Sequence, residues 1–179
     1  MFKYDSPDTC FDCKLECKRC TALTKAGTQC NRNTRKQLPY CFQHARSLLG
    51  LEIKDSTIPN AGLGVFATKP FAVNEAISPY IGETLTKTQM EERYGQDVAP
   101  YALKLSKNRF IDSACKRGTG SFINTKPGHN NARFSVHHTS ATVRATRPIP
   151  AGKEIFVTYG PRYKTLIRPQ AGVAFQTKR

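Results

Sequence analysis

Gly118-Thr119-Gly120-Ser121-Phe122-Ile123-Asn124-Thr125-Lys126-Pro127-Gly128-His129-Asn130-Asn131-Ala132-Arg133-Phe134 is the stretch on which the reading of this chain turns. Two asparagines, Asn124 and Asn131, flank a Pro-Gly loop. The apolar pair Phe122-Ile123 precedes the first, so that end of the loop is expected to be buried. A buried asparagine amide must have its donors and acceptor met, and an orphaned one costs roughly 1–3 kcal/mol. Asparagines beside Pro-Gly are ordinarily turn formers. The text on either side decides whether these two do more.

Upstream lie Gly62-Leu63-Gly64-Val65-Phe66, Tyr80-Ile81-Gly82-Glu83 and Phe110-Ile111-Asp112; downstream lies Gly152-Lys153-Glu154-Ile155-Phe156-Val157-Thr158-Tyr159-Gly160. In that order and spacing these segments resemble the SET domain, the fold of S-adenosylmethionine-dependent protein-lysine methyltransferases. The resemblance covers about residues 51 to 163. It implies a mainly β fold of small sheets around a knot-like crossing built from the Asn124 and Tyr159 segments. The organisation it suggests is a Cys/His zinc-binding module over 1–49, a SET domain over 50–163 and a basic tail over 164–179.

Hydropathy agrees with a β-rich chain. Leu51-Glu52-Ile53-Lys54 begins an alternating pattern; Val65-Phe66-Ala67, Tyr101 to Leu105, Arg109 to Asp112, Ala132 to Val136, Ala141 to Ala145 and Glu154 to Val157 read as further short strands, and Ala76 to Glu83 as a strand and turn. Thr88-Gln89-Met90-Glu91 reads as a capping box opening a short helix that ends at Gly95. Gly62-x-Gly64-x-x-Ala67 superficially matches a dinucleotide-binding fingerprint, which needs a helix directly afterwards. Pro70 forbids one, so that reading is rejected.

The chain has 179 residues, enough for one domain and a small appendage, and a net charge of +15. That excess points to a polyanionic neighbour such as nucleic acid or chromatin. No apolar run approaches the roughly 20 residues of a membrane span. The amino terminus has no apolar signal-peptide core, so an intracellular protein, nuclear or chromatin-associated, is expected.

Six of the seven cysteines precede residue 42. Without a secretory signal, zinc explains them better than disulfides. Cys20-x9-Cys30-x10-Cys41-x2-His44 supplies three thiolates and an imidazole, a complete tetrahedral set, around a polar hairpin turn at Thr24–Gln29. Cys10, Cys13 and Cys17 are left over, one ligand short. A second zinc sharing a thiolate with the first, three ligands completed by Asp12, and a cysteine-bearing tail without metal all fit the spacing. Cys115 reads as a packing residue. The first 49 residues are otherwise poor in apolar periodicity, so metal binding would supply the folding energy of this module. Its interleaved Lys and Arg suit phosphate contacts to nucleic acid.

The resemblance also assigns roles. Tyr159 is the tyrosine at the methyl-transfer pore. Tyr101, Phe134, Val157 and Tyr163 line the channel for the substrate lysine. Gly62, Leu63 and Gly64 let bare backbone approach the methyl donor, with Asn124, Thr125 and Tyr159 beside it. Thr125 stands where the family usually has histidine, and Ser121 where arginine is common. The loop to the second asparagine is one residue longer than usual, so Asn131 rather than Asn130 is the match. The substrate class implied is histone or another lysine-bearing basic protein. The competing reading is a non-catalytic SET-like protein whose basic zinc module binds nucleic acid.

Overall fold

The computed structural model describes residues 2–5, 10–34, 38–95 and 99–159. Tyr163 and the expected tail over 164–179 lie outside the described residues. Along the described chain run β1 (Phe2–Asp5), β2 (Cys10–Cys13), α1 (Phe42–His44) continuing into a π-helical turn (Ala45–Leu49), β3 (Leu51–Asp55), β4 (Leu63–Ala67), β5 (Ala76–Pro79) and β6 (Glu83–Leu85). Then come α2 (Lys87–Tyr94), β7 (Ala102–Ser106), β8 (Arg109–Asp112), a 3-10 turn (Thr119–Phe122), β9 (Ala132–Val136), β10 (Ala141–Ala145) and β11 (Glu154–Ile155). The mainly β class read from the alternation is the class observed. The strands form a β1–β2 hairpin and three small antiparallel sheets, ordered β11-β4-β3, β5-β10-β9 and β6-β8-β7.

Short strands cannot bury much individually, so the core forms where two sheets meet. Leu51, Val65, Ile77, Val143 and Ile155 pack there with Ile123, which arrives from the Asn124 segment. Phe122 and Ile123 are both buried, as their apolar character predicts.

The crossing follows from the backbone partners of residues 154–157. Val157 N–H donates to Asn124 C=O at 2.9 Å, and the N–H groups of Asn131 and Ala132 both donate to Phe156 C=O at 3.0 and 2.9 Å. Asn124 thus bridges Phe156, and Ala132 bridges Val157, in parallel. Asn131 completes the arrangement with its side chain. Its amide donates to Glu154 C=O at 2.9 Å and its Oδ1 accepts from Phe156 N–H at 2.9 Å. Both ends of the Pro-Gly loop therefore grip one strand, and the buried amide is satisfied on both sides. Asn130 instead closes the loop itself, accepting from Lys126 N–H and donating to Thr158 Oγ1.

One boundary differs from the sequence reading. The helix starts at Lys87, and its capping box is Thr86 with Gln89, not Thr88 with Glu91. Thr86 is the first residue past β6 and still extended, so its hydroxyl accepts Gln89 N–H at 3.3 Å while Gln89 Oε1 accepts Thr86 N–H at 2.9 Å. The helix leans on a partly buried charge cluster: Arg93 Nη1 lies 2.8 Å from both Glu83 Oε2 and the fully buried Asp112 Oδ2, and Tyr94 O–H donates to Asp112 at 2.8 Å. Cys13 and Cys115 are joined as a disulfide across a sequence separation of 102, tying the N-terminal hairpin to the loop after β8. This corrects two expectations, that Cys115 only packs and that Cys13 is free to ligate a second metal, because the fold brings together two thiols that sequence spacing keeps apart.

Candidate active site

A cavity of about 670 Å³ opens between α2, β7 and the 120–123 segment. Its walls are strongly aromatic: Tyr80, Tyr94, Tyr101, Phe110, Phe134 and Tyr159. Tyr101 and Tyr80 are locked together, because the buried Tyr80 hydroxyl donates to Tyr101 C=O at 2.7 Å. Burial pushes the Tyr80 phenol well above its ordinary value, so it remains a neutral donor. The Arg117 guanidinium lies 4.3 Å over the Tyr101 ring and backs it from behind. Phe134 meets Tyr80 edge-to-face at 5.2 Å. Such a box excludes water from an alkyl chain while offering ring faces to a cationic nitrogen.

The far wall of the cavity is Ile123, and the next residue, Asn124, faces a different environment. Its amide donates to Leu63 C=O at 3.0 Å and lies 3.4 Å from Glu154 Oε1. Tyr159 sits at this junction. It is half-buried, lines the cavity, and its hydroxyl donates to Ile123 C=O at 2.6 Å. The Ile123–Asn124 step therefore has an aromatic cavity on one side and a polar cradle on the other, with the Tyr159 phenol pinned between them.

The cradle is organised by Glu154. This carboxylate is 5% exposed and accepts from Ser56 Oγ at 2.7 Å, Thr57 N–H at 2.7 Å and Thr57 Oγ1 at 2.5 Å, besides the Asn124 amide. Burial alone would raise its pKa; the bonds from Thr57, Ser56 and Asn124 outweigh that and hold it below the ordinary carboxyl value. A Cβ at Gly64 would fall on this carboxylate, so only glycine lets β4 pass so close. Gly62, at a φ of +71°, turns the chain into β4 and accepts Ser56 N–H through its carbonyl at 2.8 Å. Thr125 is half-buried beside Asn124.

Val157 is the one described channel candidate that the structure does not place on the cavity. It is fully buried in the main core, because its N–H pairs with Asn124 and its side chain turns toward the packed sheets. Conversely, the sequence motifs that contain Glu154 and Tyr80 assign neither a role. A charged residue leading an apolar strand was the available signal for Glu154; nothing local marked Tyr80 as the brace of Tyr101.

A second constellation lies in the N-terminal segment. The ligand atoms of Cys20, Cys30, Cys41 and His44 all fall within 4.8 Å of one another. Hydrogen bonds pre-set the donors: Cys41 N–H donates to Cys20 Sγ at 3.3 Å, and His44 Nδ1 lies 3.4 Å from both Cys20 Sγ and Cys41 Sγ. Burial pushes both thiols up and prevails at Cys20. At Cys41 the bonds from the His44 backbone and ring and from Cys20 win, bringing it to about 7. Three sulfurs and one imidazole nitrogen at this separation fit a tetrahedral thiophilic ion. Of the leftover cysteines, Cys13 is held by Cys115, Cys17 is exposed, and the Cys10 side chain lies outside the described residues.

The family model described as SET domain matches residues 62–160. The N-lysine methyltransferase KMT5A-A of Danio rerio is 29% identical over 155 residues, covering 76% of this chain and 45% of that protein. The H3 lysine-36 specific histone-lysine N-methyltransferase of Yarrowia lipolytica is 31% identical over 106 residues, covering 55% of this chain and 14% of that protein. The chain thus spans less than half the length of these curated relatives. Among solved structures, the polycomb repressive complex 2 of Chaetomium thermophilum in an autoinhibited conformation bound to S-adenosylmethionine shares the fold at a TM-score of 0.53 and 23% identity, over 66% of this chain and 16% of that one. Since the family model spans more than half of the sequence and coincides with the crossing, the cavity and the cradle, the chain belongs to the SET-domain family.

Proposed function

We propose that this protein is an S-adenosylmethionine-dependent protein-lysine N-methyltransferase acting on histone or another basic protein, in the nucleus near chromatin. The observation that carries this reading is the position of Tyr159 between an aromatic cavity and the Gly64–Asn124–Glu154 cradle. The relatives named as lysine methyltransferases and the solved relative bound to the donor support it.

When bound, the donor supplies an electrophilic methyl group on a cationic sulfur. The rest is done by the chain. The cradle beside Gly62, Leu63 and Gly64, with the Leu63 carbonyl on the Asn124 amide and the Glu154 carboxylate behind it, suits the donor's ammonium and sulfonium charges. The Tyr101–Tyr80–Phe134 box takes the lysine stem. A lysine amine has a reference pKa near 10.4 and must be neutral to attack. A dry aromatic channel disfavours its charged form, so no strong side-chain base is required. Tyr159 then fixes the line along which amine and methyl meet.

Three side-chain thiolates and His44 would hold a structural zinc, which orders the module over 1–49 ahead of the SET domain. This module presents a basic face suited to nucleic acid. Isothermal calorimetry with S-adenosylmethionine, paired with mass spectrometry of core histones and a whole lysate incubated with enzyme and donor, tests the reading. Saturable heat and a lysine whose mass rises by one methyl in place of one hydrogen are expected. Donor binding without any methylated product would favour a non-catalytic protein, and absence of donor heat would overturn the proposal.

A further inference from the structure

The SET-domain reading leaves one exposed feature without a role. Phe42, directly after Cys41, is 71% exposed. The small core of its own segment, made by Cys20, Ala22, Cys30 and Cys41, recruits Tyr40 and leaves Phe42 out. The Arg32 guanidinium lies 5.5 Å from the centroid of the Phe42 ring, and no ion pair occupies it among the described residues. Arg19, by contrast, is committed to the fold: its donors go to Cys30 C=O, Gln29 C=O and Asn31 Oδ1 at 3.0, 2.9 and 2.6 Å.

The charge carried by this segment is one-sided. From Cys17 to Leu51 the sequence contains seven Lys and Arg and not one Asp or Glu, nearly half of the net +15 in a fifth of the chain. Lys18, Lys25, Arg32 and Arg46 are all exposed, and Arg46 follows Phe42 by one turn. An exposed segment that carries only positive charge selects a polyanion. A largely exposed aromatic ring beside a guanidinium selects a planar π-system with unpaired access. Duplexes hide their base faces, whereas single strands present them.

We propose that Phe42, flanked by Arg32, is a stacking platform for an unpaired base of single-stranded nucleic acid, with the surrounding lysines and arginines holding the phosphates. The inference rests on the zinc reading of Cys20, Cys30, Cys41 and His44, since that cluster positions Phe42, but not on methyl transfer.

The test uses the full chain and a fluorescein-labelled single-stranded RNA of about 12 nucleotides, with the same sequence as a duplex, read by fluorescence anisotropy at about 50 and about 200 mM salt. The single strand is expected to bind more tightly than the duplex. Phe42→Ala should weaken single-strand binding about tenfold without changing the salt slope, because no charge is lost. Phe42→Trp should restore it. Arg32→Ala should weaken binding and also flatten the slope. Zinc content and donor heat are measured on each variant. Unchanged affinity in Phe42→Ala with zinc retained would overturn this inference alone. Equal binding of both RNAs would overturn it too, as phosphate contact without stacking. Wild-type protein lacking zinc would overturn the metal reading on which it stands.

Discussion

Tyr159 shows how much of this site depends on a single hydroxyl. Its O–H is spent on Ile123 C=O at 2.6 Å, which holds the ring at the boundary between cavity and cradle. Tyr159→Phe keeps the ring and loses the tether. Methyl transfer is expected to fall at least tenfold, about 1.4 kcal/mol in the barrier, while the melting temperature changes little, since one such bond is worth about 1 kcal/mol. Single-turnover kinetics beside a thermal melt check this; normal turnover in a folded variant would remove Tyr159 from the pore. Phe134 is the residue-scale test of product. It faces the cavity against Tyr80 and carries no hydroxyl to hold a water where a further methyl must go. The wild type is expected to reach di- or trimethyl-lysine, and Phe134→Tyr to shift the product toward monomethyl, because displacing a well-held water loses affinity. Identical product masses from both proteins would return Phe134 to a packing role.

At the scale of elements, β11 does more than its two residues suggest. Through Glu154 it joins the 56–57 turn, and through Asn124 and Asn131 both ends of the Pro-Gly loop. The Glu154 carboxyl is held below its ordinary value, so its contribution to stability is fully present above the unfolded value of about 4.3 and is lost as pH falls through the native one. The urea concentration needed for unfolding should therefore fall from about pH 5 downward. Glu154→Gln should lower stability at neutral pH and flatten that part of the acid limb. An acid limb of unchanged steepness in Glu154→Gln would show that other carboxylates control it. The helix start belongs to the same scale. Thr86 and Thr88 both stand three residues before an acceptor of the right kind, and only the end of β6 at Leu85 decides between them.

Across the whole molecule, two covalent or metal ties are expected to matter because the N-terminal segment has little core of its own. Cys30→Ser should release zinc and unfold that segment while leaving the β-rich domain folded, since the thiolate set supplies its folding energy. Metal analysis with proteolytic mapping checks this; wild-type protein without zinc would sink it. Reducing the Cys13–Cys115 disulfide opens a loop spanning 102 positions in sequence, which the chain-entropy relation values at about 5 kcal/mol. A lower melting temperature in reductant, reproduced by Cys115→Ser, is expected, and equal melting with and without reductant would show that the hairpin contributes no stability.

Several features were legible in the sequence because they rest on local or periodic signals. Alternating hydropathy marked most of the strands, and the ordered glycine, asparagine and tyrosine motifs carried the family resemblance. Ligand spacing at Cys20, Cys30, Cys41 and His44 marked the cluster now seen within 4.8 Å. What only the tertiary structure decided involves partners far apart in the chain. Val157 is two residues from Tyr159, yet it turns into the core because Asn124 pairs with it there. Tyr80 becomes the brace of Tyr101 across 21 positions, and Cys115 finds Cys13 across 102. Glu154 gathers Ser56, Thr57 and Asn124 from separations of 98, 97 and 30. Periodicity reports which face of an element is apolar, but the direction of one side chain at a crossing depends on hydrogen bonds that exist only once distant segments have met.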